Sequence, residues 1–133
     1  MVNNCVFLDN AAVTTAADFG AFGGAIYSFF GKVTVVDSIF KKNRAIQADT
    51  TPGSGGGGGA VYANNADVLV LSSVFELNEA SSIGGAARIE STSSPSVAWY
   101  SNKELLLGND ALDCDGVSVV GEDCFSVGEN FSV

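Results

Sequence analysis

The 133-residue sequence predicts an all-β fold in which short strands of successive, similar units stack in parallel, as in a solenoid. Three observations lead to this prediction. Two motifs recur in alternation, one of the two segments between them keeps a nearly constant length, and that segment is rich in β-branched residues. The motif Phe-x-x-Asn recurs as Phe7 with Asn10, Phe40 with Asn43, and Phe75 with Asn78, and Gly-Gly-Ala recurs with the pairs Gly23 and Gly24, Gly58 and Gly59, and Gly84 and Gly85.

The spacing of the motifs separates a fixed segment from a variable one. If Trp99 and Asn102 form a fourth aromatic motif, the step from the first glycine to the next aromatic residue is 17, 17 and 15 residues. The step from the asparagine to the next glycine pair is 13, 15 and 6 residues. Such alternation is expected when one part of each unit stacks on its neighbours and the other forms a surface loop. We therefore expect the variable loops on one side of the stack.

Each unit is expected to contain three short strands. The first covers residues 33–36 and 68–71, which are rich in valine and leucine and lack a helical stripe. The second covers residues 37–40 and its equivalents, where alternation places Ser38, Ser73 and Cys5 on the inward face with the aromatic residues. A bend between these two strands is required to bring both sets inward. The third strand is predicted at residues 25–27. Because Cys5 occupies the position of Ser38 and Ser73, it is expected to be a small buried residue.

The repeated asparagines and glycines are interpreted as structural. Each asparagine is expected to end a strand in a left-handed turn and to bond the equivalent amide one unit away. Each glycine pair is expected to permit a bend that a side chain would block. A ligand-binding role is less well supported, because every copy keeps these residues whatever the length of its loop.

Together these motifs resemble those of a known family. Phe40-Lys41-Lys42-Asn43 alternating with Gly23-Gly24-Ala25-Ile26 is similar to the repeats of the chlamydial polymorphic outer membrane proteins and of related right-handed parallel β-helix proteins, over about residues 2–102. The resemblance implies a right-handed parallel β-helix of about four coils, which forms part of a secreted or surface-displayed protein and serves in adhesion or as a scaffold. It implies structural roles for the motif residues and supplies no catalytic residue.

The chain is acidic, with 15 acidic and 6 basic residues and a formal charge of −9. This balance argues against nucleic-acid binding, which requires clustered Lys and Arg. No segment is apolar over the roughly 20 residues that a membrane-spanning helix needs. Val2 aligns with Val35 and Val70, so the strand that opens the first coil is cut short, and we expect missing chain or a partner to cover this end of the stack.

The sequence divides into coils over residues 1–102 and a divergent coil or cap over residues 103–133, where the motifs are lost. Cys114 and Cys124 lie in this second part and are candidates for a disulfide, which would indicate an oxidising compartment. Free thiols are the alternative. A zinc site has less support, because two thiols without histidine do not complete its ligand shell.

The pattern favours binding or structure over catalysis. No catalytic, cofactor-binding or metal-binding residue is predicted, since the acids are scattered and the sequence contains no histidine. We expect a non-catalytic, adhesin-like module that is secreted, at the cell surface or in an oxidising lumen, with protein neighbours or surface glycans as partners. An accessory subunit of an assembly and a fragment of a polysaccharide lyase or hydrolase remain alternatives. The candidate partner contacts, unless they fold back onto the coil, are Phe19, Phe22, Phe29 and Phe30.

Overall fold

The computed structural model describes residues 1–15, 20–48, 57–90, 97–100, 106–113 and 125–127. These residues form short β-strands joined by bends, and none of them is helical. In chain order the strands are β1 (Val2–Asn3), β2 (Val6–Leu8), β3 (Ala11–Thr14), β4 (Ile26–Val36), β5 (Ile39–Lys41), β6 (Arg44–Gln47), β7 (Val61–Leu71), β8 (Val74–Glu76), β9 (Glu79–Ile83), β10 (Ala87–Glu90), β11 (Val97–Tyr100), β12 (Leu106–Leu107), β13 (Asp110–Asp113) and β14 (Phe125–Val127).

The strands form three parallel sheets, and neighbouring strands within a sheet come from successive repeats. Sheet A has the order β1-β4-β7-β10-β14, with β11 also paired to β7. Sheet B has the order β2-β5-β8-β12, and sheet C has the order β3-β6-β9-β13. The predicted all-β architecture of stacked parallel strands is confirmed. Sheets B and C continue through β12 and β13, beyond residue 102.

The third strand of each unit differs from the prediction. Residues 25–27 do not make a separate face, because β4 runs from Ile26 to Val36 with a bend at Phe30, where φ is 61°. Strand β7 has the same bend at Asn65. The third sheet, sheet C, is instead formed by the residues that directly follow each asparagine, a segment that the sequence analysis assigned to the variable loop. Alanine-rich pieces such as Ala11–Thr14 lack the β-branched run that marks the other strands.

The corners between the sheets lie at residues with positive φ. Asp37 and Ser72 have φ of 46° and form the predicted bend between sheets A and B. The second corner corrects a prediction: the left-handed residue is not the motif asparagine but the residue before it, with φ of 54° at Asp9, 55° at Lys42 and 54° at Leu77. The turn is thus completed one residue earlier, and the asparagine side chain enters the interior.

Aromatic rings stack through the interior behind sheet B. Phe7, Phe40 and Phe75 lie in register, with centroid separations of 4.7 Å for each neighbouring pair and nearly parallel planes. Phe40 and Phe75 are completely buried, whereas Phe7 is half-buried at the end of the row. Valines and alanines of sheet A complete this core.

A second row consists of asparagine side chains that bond from one repeat to the next. Asn10 donates from its side chain to Asn43 Oδ1 at 2.8 Å, Asn43 to Asn78 Oδ1 at 2.9 Å, and Asn78 to Asn109 Oδ1 at 2.7 Å. Each acceptor oxygen also takes the backbone N–H of the preceding asparagine. Asn43, Asn78 and Asn109 are buried, so this row satisfies polar groups that water does not reach.

The fourth aromatic motif is placed differently from the prediction. Trp99 lies opposite Val70 in sheet A, so it does not continue the row of Phe75. The residue in register with Phe75 is Leu106, and Asn109 holds the place in the asparagine row that was assigned to Asn102. Asn102 itself lies outside the described residues.

Cys5 also departs from its predicted burial, because it is exposed. Its thiol donates to the Asn3 carbonyl at 3.2 Å, as the Ser38 hydroxyl does to the Val36 carbonyl at 2.7 Å. The local geometry of the serine position is therefore kept. The exposure arises because, within the described part of the chain, no strand pairs with the far edge of β2.

The glycine pairs lie where the backbone turns against the next repeat. The first members, Gly23, Gly58 and Gly84, have φ of 58°, 66° and 72°. The second members allow close approach between repeats: a Cβ on Gly24 would lie 2.3 Å from the Gly59 carbonyl oxygen, and one on Gly59 would lie 2.1 Å from that of Gly85. Any side chain at these second positions would push neighbouring repeats apart.

Among the described residues, no helix has the length and apolarity to cross a membrane.

Candidate functional site

Aromatic and polar side chains gather on the outer surface of sheet A, on the part of each strand that precedes the bend. Parallel register aligns them in two rows. One row contains Tyr27, Tyr62 and Arg88, and the other contains Phe29, Asn64 and Glu90. We call the surface formed by these six residues with Phe22 and Phe30 the aromatic face.

Strand alternation explains why these residues share one surface. Val61 and Ala63 are buried in the core, so the intervening Tyr62 and the following Asn64 belong to the opposite side of β7. Tyr27 and Phe29 occupy the same places in β4. The stack therefore repeats one pair of outward positions in each unit, and these positions hold Tyr and Phe, then Tyr and Asn, then Arg and Glu.

Three rings form one half of the aromatic face. Tyr27 stacks on Tyr62 with centroids 5.5 Å apart and planes 11° apart, and Phe22 packs on Tyr62 at 4.5 Å and on Tyr27 at 6.2 Å. Tyr62 is only 3% exposed, whereas Tyr27 is 56% exposed. Phe22 is half-buried. One tyrosine is thus covered by its neighbours while the other presents its ring to solvent.

The other aromatic pair lies at the bend of β4. Phe29 and Phe30 contact edge to face with centroids 4.5 Å apart, and they are 58% and 59% exposed. Phe30 has φ of 61°, so its side chain departs from the alternation of the strand. Rings this exposed contribute little to the core and are available for contact with a partner.

A hydrogen-bonded polar network borders the rings. The Tyr62 hydroxyl donates to Glu90 Oε2 at 2.5 Å, and Asn64 Nδ2 donates to the Tyr62 hydroxyl at 3.0 Å. Glu90 Oε1 forms an ion pair with Arg88, whose guanidinium carbon lies 6.0 Å from the centroid of the Tyr62 ring. The carboxylate is thereby held in one orientation and its charge is balanced locally.

Burial and the acidic neighbour change the acidity of Tyr62. Desolvation of the hydroxyl, followed by its hydrogen bond to Glu90, raises the pKa of Tyr62 to about 12. The phenol therefore remains protonated at physiological pH and stays a donor to Glu90.

We expect this shift to appear in the alkaline stability of the protein. The neutral phenol is favoured in the folded chain, so its contribution to stability is complete below the ordinary pKa of 10.0 and is lost as pH rises toward about 12. Unfolding free energy measured by urea denaturation between pH 9 and 12 should fall less steeply in Tyr62→Phe than in the parent protein. Tyr27→Phe is the matched control. Equal slopes for the parent protein and Tyr62→Phe would contradict the assignment.

The residues predicted as partner contacts separate into three groups. Phe29 and Phe30 are exposed, and Phe22 is half-buried against the two tyrosines. Phe19 and the candidate disulfide pair Cys114 and Cys124 lie outside the described residues. Within the described ranges, no three His, Cys, Asp or Glu side chains form a group that could hold a metal ion.

The polar residues Asn64, Arg88 and Glu90 of this surface were not predicted from the sequence as contacts. A signal was present: Tyr27, Tyr62 and Arg88 each follow the first glycine of a pair by four residues, and Phe29, Asn64 and Glu90 follow by six. Aligning the repeats on the glycines and then applying strand alternation brings all six to one face.

Comparison with known proteins identifies the repeat. Residues 37–64 match the family model of the Chlamydia polymorphic membrane protein repeat. The matched segment includes Phe40 and Asn43, the pair Gly58 and Gly59, and the first part of β7 with Tyr62. The resemblance to the polymorphic membrane protein repeats is thus confirmed for this segment. No curated protein and no solved structure gives a significant match.

Proposed function

We propose that this chain is a non-catalytic, adhesin-like binding module of a cell-surface protein, built as a right-handed parallel β-helix of about four closed coils. The observation that carries the proposal is the match of residues 37–64 to the polymorphic membrane protein repeat. That repeat relates the chain to a class of surface-associated membrane proteins.

The geometry supports binding through the aromatic face. The scaffold is fixed from within by stacked rings and by the asparagine row, so residues on its outer surface keep their relative positions. Tyr27, Phe29 and Phe30 present more than half of their surface to solvent on this scaffold. Rigid aromatic side chains lose little conformational entropy on binding and supply large contact areas, which suits them to adhesion.

Two ion-paired glutamates of the described region support a non-catalytic role. Glu76 pairs with Lys41 at 2.8 Å on sheet B, and Glu90 pairs with Arg88 on sheet A. These carboxylates lie on different sheets and each is neutralised by its own base. Acid and base catalysis on a polysaccharide requires two carboxyl groups across one bond.

An accessory subunit of a larger assembly is the second candidate. The observation that favours it is an apolar area on the outer side of sheet B near the start of the chain. Val6 is 67% exposed, Leu8 53% and Ile39 41%, and Val6 lies in register with Ile39. A protein neighbour would bury this area, whereas a freely displayed adhesin would leave it in water.

The two candidates are separated by a cell-binding measurement. We expect the fluorescently labelled chain to bind intact cultured animal cells in a saturable manner, and the double variant Tyr27→Ala/Phe29→Ala to bind at least about tenfold more weakly. Leu8→Ala, which removes an exposed apolar side chain on another sheet, is the matched control and should bind normally. Circular dichroism establishes that all variants are folded.

Other results would contradict the adhesin-like proposal. Absence of cell binding, together with recovery of the native chain at a constant ratio to other proteins by mass spectrometry, would indicate an assembly subunit. Release of unsaturated products from acidic polysaccharides, with or without calcium, would indicate a lyase.

A further inference from the structure

We propose that the aromatic face binds a neutral saccharide, with sugar rings stacked on Tyr27 and Phe29 and hydroxyl groups bonded to Asn64 and Glu90. This inference rests on the proposed function and specifies the chemical class of its ligand.

Two exposed rings lie next to each other on the same side of β4. Tyr27 and Phe29 are two residues apart in β4 and therefore lie on the same side of it, so about 6.6 Å separates their Cα atoms along the strand. They are 56% and 58% exposed, and Tyr62 on the neighbouring strand stacks on one face of the Tyr27 ring at 5.5 Å. The apolar C–H side of a pyranose can cover such a ring while its hydroxyl groups remain at the edge.

The hydrogen-bonding groups lie beside the rings and are held in place. Asn64 is in register with Phe29 on the neighbouring strand, about 4.8 Å away, and Glu90 lies one strand further, about 9.6 Å from Phe29. The carboxylate of Glu90 is fixed by Arg88 and by the Tyr62 hydroxyl, yet carboxylate oxygens accept more than one bond. A preorganised acceptor beside an exposed ring binds a hydroxyl group with a small loss of entropy.

The charge of the chain and the polar residues beside Phe29 favour a neutral saccharide as the ligand. The ion pair with Arg88 balances Glu90, and the chain as a whole carries a formal charge of −9, which repels acidic polysaccharides. A stable protein interface usually has an apolar centre with its polar groups at the rim. Polar Asn64 and Glu90 follow Phe29 in the same row, so hydrogen-bonding groups border Phe29 on the side of β7 and β10.

The test uses the full chain and defined oligosaccharides. The neutral probes are the hexamers of β-1,4-glucose, α-1,4-glucose and N-acetylglucosamine, and the acidic probe is hexagalacturonate. We expect calorimetric titration to detect at least one neutral hexamer with a dissociation constant of about 1 mM or tighter, and no binding of the acidic hexamer. Tyr27→Ala and Phe29→Ala should each weaken binding at least about tenfold.

Conservative and matched variants complete the design. Tyr27→Phe keeps the ring and should retain binding, and Leu8→Ala should bind as the parent protein does. Retained binding in both Tyr27→Ala and Phe29→Ala would overturn the placement of the site, and binding of the acidic hexamer alone would overturn the charge argument. Failure of every neutral hexamer would overturn the ligand class. If cell binding still required Tyr27 and Phe29 in that case, the proposed function would stand with a protein partner.

Discussion

Replacing Phe40 by alanine is expected to lower the free energy of unfolding by about 4 kcal/mol. Phe40 is completely buried, and its ring lies between Phe7 and Phe75 with centroids 4.7 Å from each. The substitution removes the transfer free energy of the ring and leaves a cavity that the parallel register of β2, β5 and β8 prevents from collapsing. Urea denaturation followed by circular dichroism measures the change.

Two further phenylalanines calibrate this result. Phe29→Ala removes a ring that is 58% exposed and should change the unfolding free energy by less than about 1 kcal/mol. Phe7→Ala removes the half-buried ring at the end of the row and should give an intermediate loss. A loss for Phe40→Ala no larger than that for Phe29→Ala would show that the stacked row does not stabilise the fold.

The sequence was most informative where repeated residues enter the interior. Phe40, Phe75, Asn43 and Asn78 recur because each contacts its own equivalent, so periodicity alone identified them. The β-branched residues 33–36 and 68–71 likewise marked sheet A. An inward residue contacts its equivalents in both the preceding and the following repeat, so the same residue type recurs at that position and can be recognised within a single sequence.

Sheet C was missed because its strands carry little β propensity of their own. Ala45 and Ala80 pair across the sheet at small inward positions, and each of these strands contains a single β-branched apolar residue among alanines and polar residues. The pairing is imposed by the neighbouring repeats and not by local preference.

The fourth repeat was misplaced for a related reason: Trp99 matched the residue type, but the backbone register pairs Leu106 with Phe75.

The aromatic face required both periodicity and register. Phe29 and Phe30 were candidate contacts from the sequence, and the structure shows that they are exposed rather than folded back onto the coil. The contact of Tyr62 with Glu90 joins residues 28 positions apart. Only the parallel pairing of β7 with β10 brings these two side chains together.

Replacing Asn78 by alanine is the second substitution expected to have a large effect. The Asn78 side chain accepts the backbone N–H and the side-chain Nδ2 of Asn43, each at 2.9 Å. It donates to the Phe40 carbonyl at 3.0 Å and to Asn109 Oδ1 at 2.7 Å. Alanine leaves the Asn43 N–H and the Phe40 carbonyl without this partner inside the stack, and we expect a loss of about 3 kcal/mol in unfolding free energy by urea denaturation.

Two companion variants distinguish lost hydrogen bonds from lost volume. Asn10→Ala alters the exposed end of the same row, where water replaces the missing bonds, and should cost about 1 kcal/mol or less. Asn78→Asp keeps the volume but turns the donor into an acceptor that faces the Phe40 carbonyl and Asn109 Oδ1, so at neutral pH it should destabilise at least as much as alanine does. Because the neutral carboxyl regains a donor, part of that loss should be recovered on acidification. If Asn78→Asp were as stable as the parent protein at neutral pH, the asparagine row would be a consequence of the stacking and not one of its causes.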